Sequence, residues 1–304
     1  MYHPPEIIYT SLYSKLPESM RKTGQKSDWL QSRERHNIHS FLEGPTFDAV
    51  GNLYCTDIPF GRIFKVDAND KFETIAEYDG EPNGMKVFQN DQALIADHRR
   101  GLLTLNLKTG NISVVVSRAW GEGFRGLNDL IIASNGDIYF TDQGQSGLQD
   151  PTGKLYRLRS NGELEIVLSG IPSPNGLPFN PDESMLYLNV TRTNQVWRVP
   201  IDRNGHASKV GVFLNMSGGG GPDGLAVDTK GNLFVAAPGT ESVWVFSPLG
   251  EPIHRMISKE GKRPTNIAFG GANNQTLFIT ESGTGTISCV EMPTPGLTLF
   301  GQRN

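Results

Sequence analysis

Six oxygen-bearing side chains recur along this 304-residue chain: Glu43, Asn83, Asn128, Asn175, Asp223 and Asn266, separated successively by 40, 45, 47, 48 and 43 residues. Two carboxylates and four carboxamides, with neither Cys nor His among them, form a hard donor set. A single divalent cation suits such donors: Ca²⁺ fits best, Mg²⁺ or Mn²⁺ next and Fe²⁺ after them, whereas zinc ordinarily recruits nitrogen or sulfur. Held by only two carboxylates, the cation keeps net positive character, so it can polarise a carbonyl oxygen and lower the pKa of a water. An ester or lactone is the electrophile that this chemistry serves. Asp223, in a Gly-rich loop, is the candidate general base toward water, and Asn128 and Asn175 are the candidates for orienting the carbonyl or the ion. The competing reading is that Asn-Gly and Asp-Gly pairs merely form turns. Glu43-Gly44 fits that reading poorly, because glutamate is a poor turn residue.

The elements that must position these side chains are short strands. Gly218 to Gly221 leads into Pro222-Asp223-Gly224-Leu225-Ala226-Val227, a polar turn at Asp228 to Asn232, and Leu233-Phe234-Val235-Ala236, a pattern of loop, strand, tight turn and strand. The pattern recurs from Glu43 to Tyr54 and from Asn128 to Tyr139, with looser copies at Asn83, Asn175 and Asn266. A period in the forties with several short strands per unit is the signature of propeller blades, so the chain is expected to be an all-β, six-bladed β-propeller of four-stranded antiparallel blades. In an up-and-down blade the residue leading strand one and the loop after strand two share one end, which places the six side chains around the mouth of the central channel. The surrounding loops offer His98, Arg99, Arg125 and Arg192 as hydrogen-bond donors to a hydroxylated lactone, with Phe60 as an apolar wall. His98 is also a candidate general acid.

The repeat predicts one propeller domain over residues 38–304, preceded by an N-terminal arm, residues 1–37. Within the arm, Glu6 to Tyr13 has strand character and could close the last blade, and Ser27-Asp28-Trp29-Leu30 reads as the start of a short helix. With 28 basic and 32 acidic residues, a net charge of −4 and scattered arginines, nothing forms the basic stripe that nucleic acid requires. No apolar run approaches the ~18 residues of a membrane span and no signal-peptide core is present, so a soluble cytoplasmic protein, without a membrane partner, is expected. Cys55 and Cys289 lie in apolar strand-like runs and read as buried free thiols. There is no phosphate loop, no His-Glu-x-x-His and no Gly-x-Ser-x-Gly elbow. The expected partner is a small-molecule lactone, and the chain is expected to be a monomer or small homo-oligomer.

Glu43-Gly44-Pro45, Leu127-Asn128-Asp129, Pro174-Asn175-Gly176-Leu177 followed by Pro181-Asp182-Glu183, and Pro222-Asp223-Gly224-Leu225 with Gly231-Asn232-Leu233 together resemble the gluconolactonase, regucalcin and luciferin-regenerating enzyme family, over roughly residues 38 to 292. The resemblance implies a six-bladed propeller with one divalent ion on its axis, held by the residues matching Glu43, Asn175 and Asp223, with Asn128 at the metal and substrate. It further implies hydrolysis of sugar lactones to aldonic acids, with calcium as the common ion and other divalent ions (Mg²⁺, Mn²⁺, Fe²⁺ or Zn²⁺) as alternatives. One departure stands out: regucalcin-like members carry a substrate-binding arginine two residues before the asparagine, where this chain has Gly126, and Arg125 lies one residue further back. Two further readings remain at this stage. One is a broader esterase or a related propeller hydrolase acting on organophosphates; the other is a non-enzymatic, metabolite-binding propeller with a structural ion.

Overall fold

The computed structural model describes residues 3–33, 38–67, 69–89 and 91–302. The chain is all-β. Strands of two to ten residues are joined by tight turns, and the α-helix among the described residues is the short Asp28–Gln31. None of the described helices is long and apolar enough to cross a membrane.

Three sheets are four-stranded antiparallel meanders: Leu42–Phe47 to Phe72–Glu77, Pro82–Gln89 to Ile112–Val116, and Leu127–Ile132 to Leu164–Ile171. The fourth repeat departs from the expected four strands. Met185–Val190, Gln195–Pro200 and Gly211–Asn215 form a three-stranded sheet, and the segment carrying Asn175 runs along its edge through isolated bridges at Pro174 and Phe179 and backbone hydrogen bonds that include Asn175 N–H to the Asn189 carbonyl and Tyr187 N–H to the Pro178 carbonyl, both at 2.9 Å. The cause is local: Pro172, Pro174, Pro178 and Pro181 remove the amides that a ladder strand would donate.

The fifth and sixth repeats also depart from separate sheets. They merge into one eight-stranded sheet because Glu6–Lys15 lies between Pro252–Ser258, to which its first half runs parallel, and Thr286–Glu291, to which its second half runs antiparallel. Both outer edges at this seam are thereby paired, which removes the open edge that would invite another chain.

The core consists of apolar layers between successive repeats. Tyr54 and Ile63 pack with Met85 and Ile95; Leu94 and Leu102 with Leu130 and Phe140; Ile131 and Tyr139 with Leu177 and Leu186. The series continues with Tyr187 and Val196 against Leu225 and Val235, then Phe234 and Val245 against Ile267 and Leu277. Phe278 and Ala268 return to Phe47 and Leu53, so the last repeat packs on the first. Strand alternation sends one face of each sheet into each neighbouring layer, which is why aromatic and β-branched residues occupy both faces. Cys55 is buried in the closing layer, and both cysteines are free thiols.

Candidate active site

Four structural devices aim the recurring side chains at a common centre. The first is a register irregularity at the residue itself: pairing skips between Glu43 and Thr46, Pro82 and Met85, Leu127 and Leu130, and Pro264 and Ile267. A bulge of this kind bends the strand and re-aims one side chain. The second is an acid fourteen residues downstream in the first three repeats. Asp57, Asp97 and Asp142 are buried and accept the backbone N–H of Phe41, Glu81 and Gly126 at 2.6, 2.9 and 2.8 Å, in each case two residues before the ring member. In the sixth repeat Glu281 accepts from Arg263 N at 3.0 Å. The fourth repeat carries Asn189 at the equivalent place, and its Nδ2 donates instead to the Asp223 carbonyl.

The third device is a set of hydroxyls that tie each repeat to the next: Thr56 Oγ1 donates to the Asn83 carbonyl at 2.8 Å, Thr141 Oγ1 to that of Asn175 at 3.1 Å, and Thr265 Oγ1 to that of Leu42 at 2.7 Å. The fourth is the glycine that follows the ring member in four repeats. It is there for close approach between neighbouring repeats: a Cβ on Gly44 would lie 2.4 Å from the Asn83 carbonyl oxygen, and one on Gly176 would lie 2.7 Å from that of Asp223. Gly176 also donates its N–H to that Asp223 carbonyl at 3.2 Å. Gly176→Ala is therefore expected to destabilise the fold by about 1–3 kcal/mol, read as a lower urea midpoint at unchanged m-value. An unchanged midpoint would mean that the two segments are not packed this closely.

The ring members thus brought together line one cavity of about 940 Å³, in which Glu43, Asn83, Asn128, Asn175 and Asp223 all take part. Glu43 is only 3% exposed. Its Oε2 accepts the Gly44 N–H at 2.7 Å and an Asn266 Nδ2 hydrogen at 2.9 Å. Burial, and after it the neighbouring Asp223 and Asp129 carboxylates, push Glu43 well above the ordinary carboxylate range, while these two hydrogen bonds act in the opposite direction. Asn266 spends its carboxamide on the acids, donating to Glu43 and, at 3.2 Å, to Asp129. It positions Glu43. Asn83, Asn128 and Asn175 are buried, and among the described residues their carboxamides make no side-chain hydrogen bond.

Among the described residues no three His, Cys, Asp or Glu side chains cluster into a metal site by themselves. The donors here are two mutually repelling carboxylates completed by amide carbonyls, and that is the donor chemistry of a hard cation. The residues fit.

The structure separates the rim candidates named from the sequence. His98 and Arg192 line the cavity. His98 is held neutral, its pKa lowered to about 4 by burial and by the Arg33 guanidinium against a smaller opposing effect of its hydrogen bond to the Leu127 backbone. Its Nε2 lies 3.1 Å from Arg33 Nη2, a contact in which a neutral ring can accept from the guanidinium. Arg125 is not in the wall: its guanidinium is 59% exposed, with Thr152 Oγ1 at 3.1 Å and Asp150 at 3.7 Å. The cause is the backbone at Gly126, where a φ of 149° and the Asp142 clamp turn the preceding residue outward. Arg99 pairs with Asp79 and Asp28, outside the cavity wall. Phe60 packs under the arm beside Arg62, and the apolar wall is made instead by Trp29, Phe41 and Ile58.

Residues that sequence reasoning missed are Asp129, Asn189, Trp29 and Arg33. The recurrence of Asp or Asn at the end of the second strand was a readable signal for Asn189. Nothing in the repeat pointed to the two arm residues.

Comparison with known proteins sets this geometry in a family. A gluconolactonase of Zymomonas mobilis is 34% identical over 218 residues, covering 66% of this chain and 60% of that protein's length. The lactonase drp35 of Staphylococcus haemolyticus is 29% identical over 305 residues, covering 91% of this chain and 89% of that protein. Among solved structures, a calcium-binding protein, regucalcin, from Agrobacterium tumefaciens superposes with a TM-score of 0.79 at 20% identity, over 99% of this chain and 100% of its own. A gluconolactonase from Xanthomonas campestris gives a TM-score of 0.75 at 22% identity, over 96% and 99% of the two chains. At these identities the structural matches establish the shared fold. The family model described as the SMP-30/Gluconolactonase/LRE-like region matches residues 41–283, the span that contains all six ring residues, and the chain therefore belongs to that family.

Proposed function

We propose that this chain is a divalent-metal-dependent lactonase that hydrolyses a lactone, a sugar lactone foremost, to the hydroxy acid. The observation that carries the reading is the pairing of Glu43 with Asp223 on the wall of a cavity otherwise lined there by carboxamides. A buried Glu43 carboxylate facing the half-buried Asp223 carboxylate calls for a cation between them. The proposed holders are Glu43, Asn175 and Asp223, with Ca²⁺ as the ion. The scaffold in this reading is a six-bladed propeller over residues 38–304 with residues 1–37 as its arm, supported by the apolar layers that run from each repeat to the next and back to the first.

What the ion supplies when bound is Lewis-acid polarisation of the lactone carbonyl and a lowered pKa for water. The rest falls to side chains. Asn128 donates its carboxamide N–H to the carbonyl oxygen as negative charge develops there. Asp223 accepts a proton from the attacking water as that water's oxygen adds to the carbonyl carbon. When the ring C–O bond breaks, the departing alkoxide takes the proton back from Asp223, leaving a hydroxy acid that ionises in bulk water. Arg192 donates to substrate hydroxyls. His98, neutral, fixes the wall beside them.

The test is proton release from D-glucono-1,5-lactone in a pH-stat, before chelation, after exhaustive chelation and after Ca²⁺ is restored. Loss of at least about a hundredfold in rate and its recovery, with the far-ultraviolet circular dichroism unchanged, is the expected result. Undiminished rates in ion-free protein would overturn the metal-dependent reading. Turnover of aryl esters with none of lactones would overturn the lactonase reading.

A further inference from the structure

We infer that Arg62 is a positioning residue for Glu43: it ties the acid that clamps the Glu43 strand to the N-terminal arm, so that the docked arm sets how tightly the ion is held. The inference deepens the reading of Glu43 as an ion holder and rests on it for the affinity, though not for the tie itself.

Glu43 is the one proposed ion holder whose strand is fixed by a downstream acid. The residues fourteen positions after Asn175 and Asp223 are Asn189 and Ala237, whereas Asp57 stands there for Glu43. Asp57 Oδ1 accepts the Phe41 N–H at 2.6 Å, two residues before Glu43. Beyond Glu43 the pairing with the second strand is interrupted as far as Thr46, so the main chain at Glu43 takes its place from the anchors that precede it.

The clamp of the first repeat differs from its counterparts in carrying a guanidinium. Arg62 Nε and Nη2 both donate to Asp57 Oδ2, at 2.8 and 2.5 Å, and Arg62 Nη1 donates to the Met20 carbonyl of the arm at 2.5 Å. Asp97 and Asp142 are served instead by the Tyr78 hydroxyl and by the backbone N–H groups of Arg99, Arg100 and Arg125. Asp57 is fully buried and Arg62 is 2% exposed. Burial raises the Asp57 pKa, and the Arg62 guanidinium is foremost among the groups that oppose the rise. A second arm contact meets the same segment, where Lys22 N–H donates to the His39 carbonyl at 3.1 Å. A continuous hydrogen-bonded path thus runs from the arm through Arg62 and Asp57 to the strand of Glu43. Outer partners of this kind orient the ligands of a metal, and losing one typically costs about tenfold to a hundredfold in affinity.

The test is calorimetric titration of chelator-treated, full-length protein with Ca²⁺. Arg62→Met should weaken binding by about tenfold to a hundredfold, and Arg62→Lys, which keeps the charge beside Asp57 without the fork, should recover part of the loss. The control is Arg157→Met. Arg157 is a second buried guanidinium, 1% exposed, whose hydrogen bonds go to Tyr139, Glu165 and the Asn204 carbonyl, none of them in the ring. Its loss should change Ca²⁺ affinity by less than about threefold. An unchanged affinity in Arg62→Met, or an equal loss in both variants, would overturn the inference. Hydrogen–deuterium exchange on ion-free protein reads the tie without Ca²⁺: Arg62→Met should speed exchange at the Phe41 amide by at least about tenfold and leave the Gly126 amide, held by Asp142, as it was. Faster exchange at Phe41 alone, in a protein that binds no Ca²⁺ even as wild type, would uphold the tie and sink only the ion reading. Unchanged exchange at Phe41 would overturn the inference. Should Arg62→Met fail to fold, Arg62→Met combined with Asp57→Asn takes its place under the same criteria, because it removes the buried charge together with its partner, keeps an acceptor for Phe41 N–H and still cuts the tie to Met20.

Discussion

Asp223→Asn lowers kcat for lactone hydrolysis by about a thousandfold, within the range set by loss of a positioned general base. The substitution keeps the size of the side chain and can still offer one oxygen to the ion. The backbone that fixes it is untouched: Asp223 N–H donates to the Ala236 carbonyl at 2.8 Å, and the Asp223 carbonyl accepts from Gly176 N–H and from Asn189. What disappears is the ability to take a proton from water. The effect should therefore appear in kcat at saturating Ca²⁺, with KM changed far less. Initial rates in a pH-stat, with bound calcium measured on the same samples, separate loss of the base from loss of the ion. Undiminished turnover by an ion-replete Asp223→Asn protein would remove the base assignment.

Glu43→Gln should act in opposite directions with and without the ion. In ion-free protein a charged Glu43 is disfavoured by its burial and by the Asp223 and Asp129 carboxylates. A neutral glutamine removes that repulsion and can still accept from Gly44 N–H and Asn266 Nδ2, the two donors that Glu43 now serves. The ion-free variant should gain about 1–3 kcal/mol. With Ca²⁺ the order reverses. Wild-type protein should gain about 2.7 kcal/mol at a hundred times the dissociation constant, whereas the variant, left with one carboxylate ligand, should gain almost none at the same concentration. Thermal unfolding with and without Ca²⁺ reads both effects. A variant less stable than wild type when both are ion-free would mean that Glu43 is held by some other stabilising partner.

The ring was legible because it is a property of the repeat. Glu43, Asn128 and Asp223 fall in register when the Gly-Asn and Gly-Asp turns are aligned, Asn175 follows as a looser copy, and a period in the forties converts that register into a common end of the fold. The glycines beside them were open to misreading as turn residues. Their place is set by the distance between neighbouring repeats, which no single repeat encodes. The inner segment of the fourth repeat keeps its place beside the second strand but not a continuous ladder, and the prolines that interrupt it are plain in the sequence, yet their effect depends on which amides a ladder needs. Strand character at Glu6 to Tyr13 was legible, but its parallel pairing with Pro252–Ser258 is a tertiary choice. The arm's second contribution was hidden altogether: Trp29 and Arg33 lie outside the repeat, so periodicity assigns them no position. Arg125 was misplaced for a related reason. Loop position put it near the mouth, and the backbone at Gly126 turns it away.

The central claim is that Glu43, Asn175 and Asp223 gather one divalent ion. Crystals of the full chain grown with Mn²⁺ in place of Ca²⁺ would test it most directly through an anomalous difference map. A single strong peak should lie about 2.1–2.6 Å from a carboxylate oxygen of Glu43, a carboxylate oxygen of Asp223 and the side-chain carbonyl of Asn175. A map with no peak between these residues, from protein that hydrolyses lactones at full rate, would contradict it.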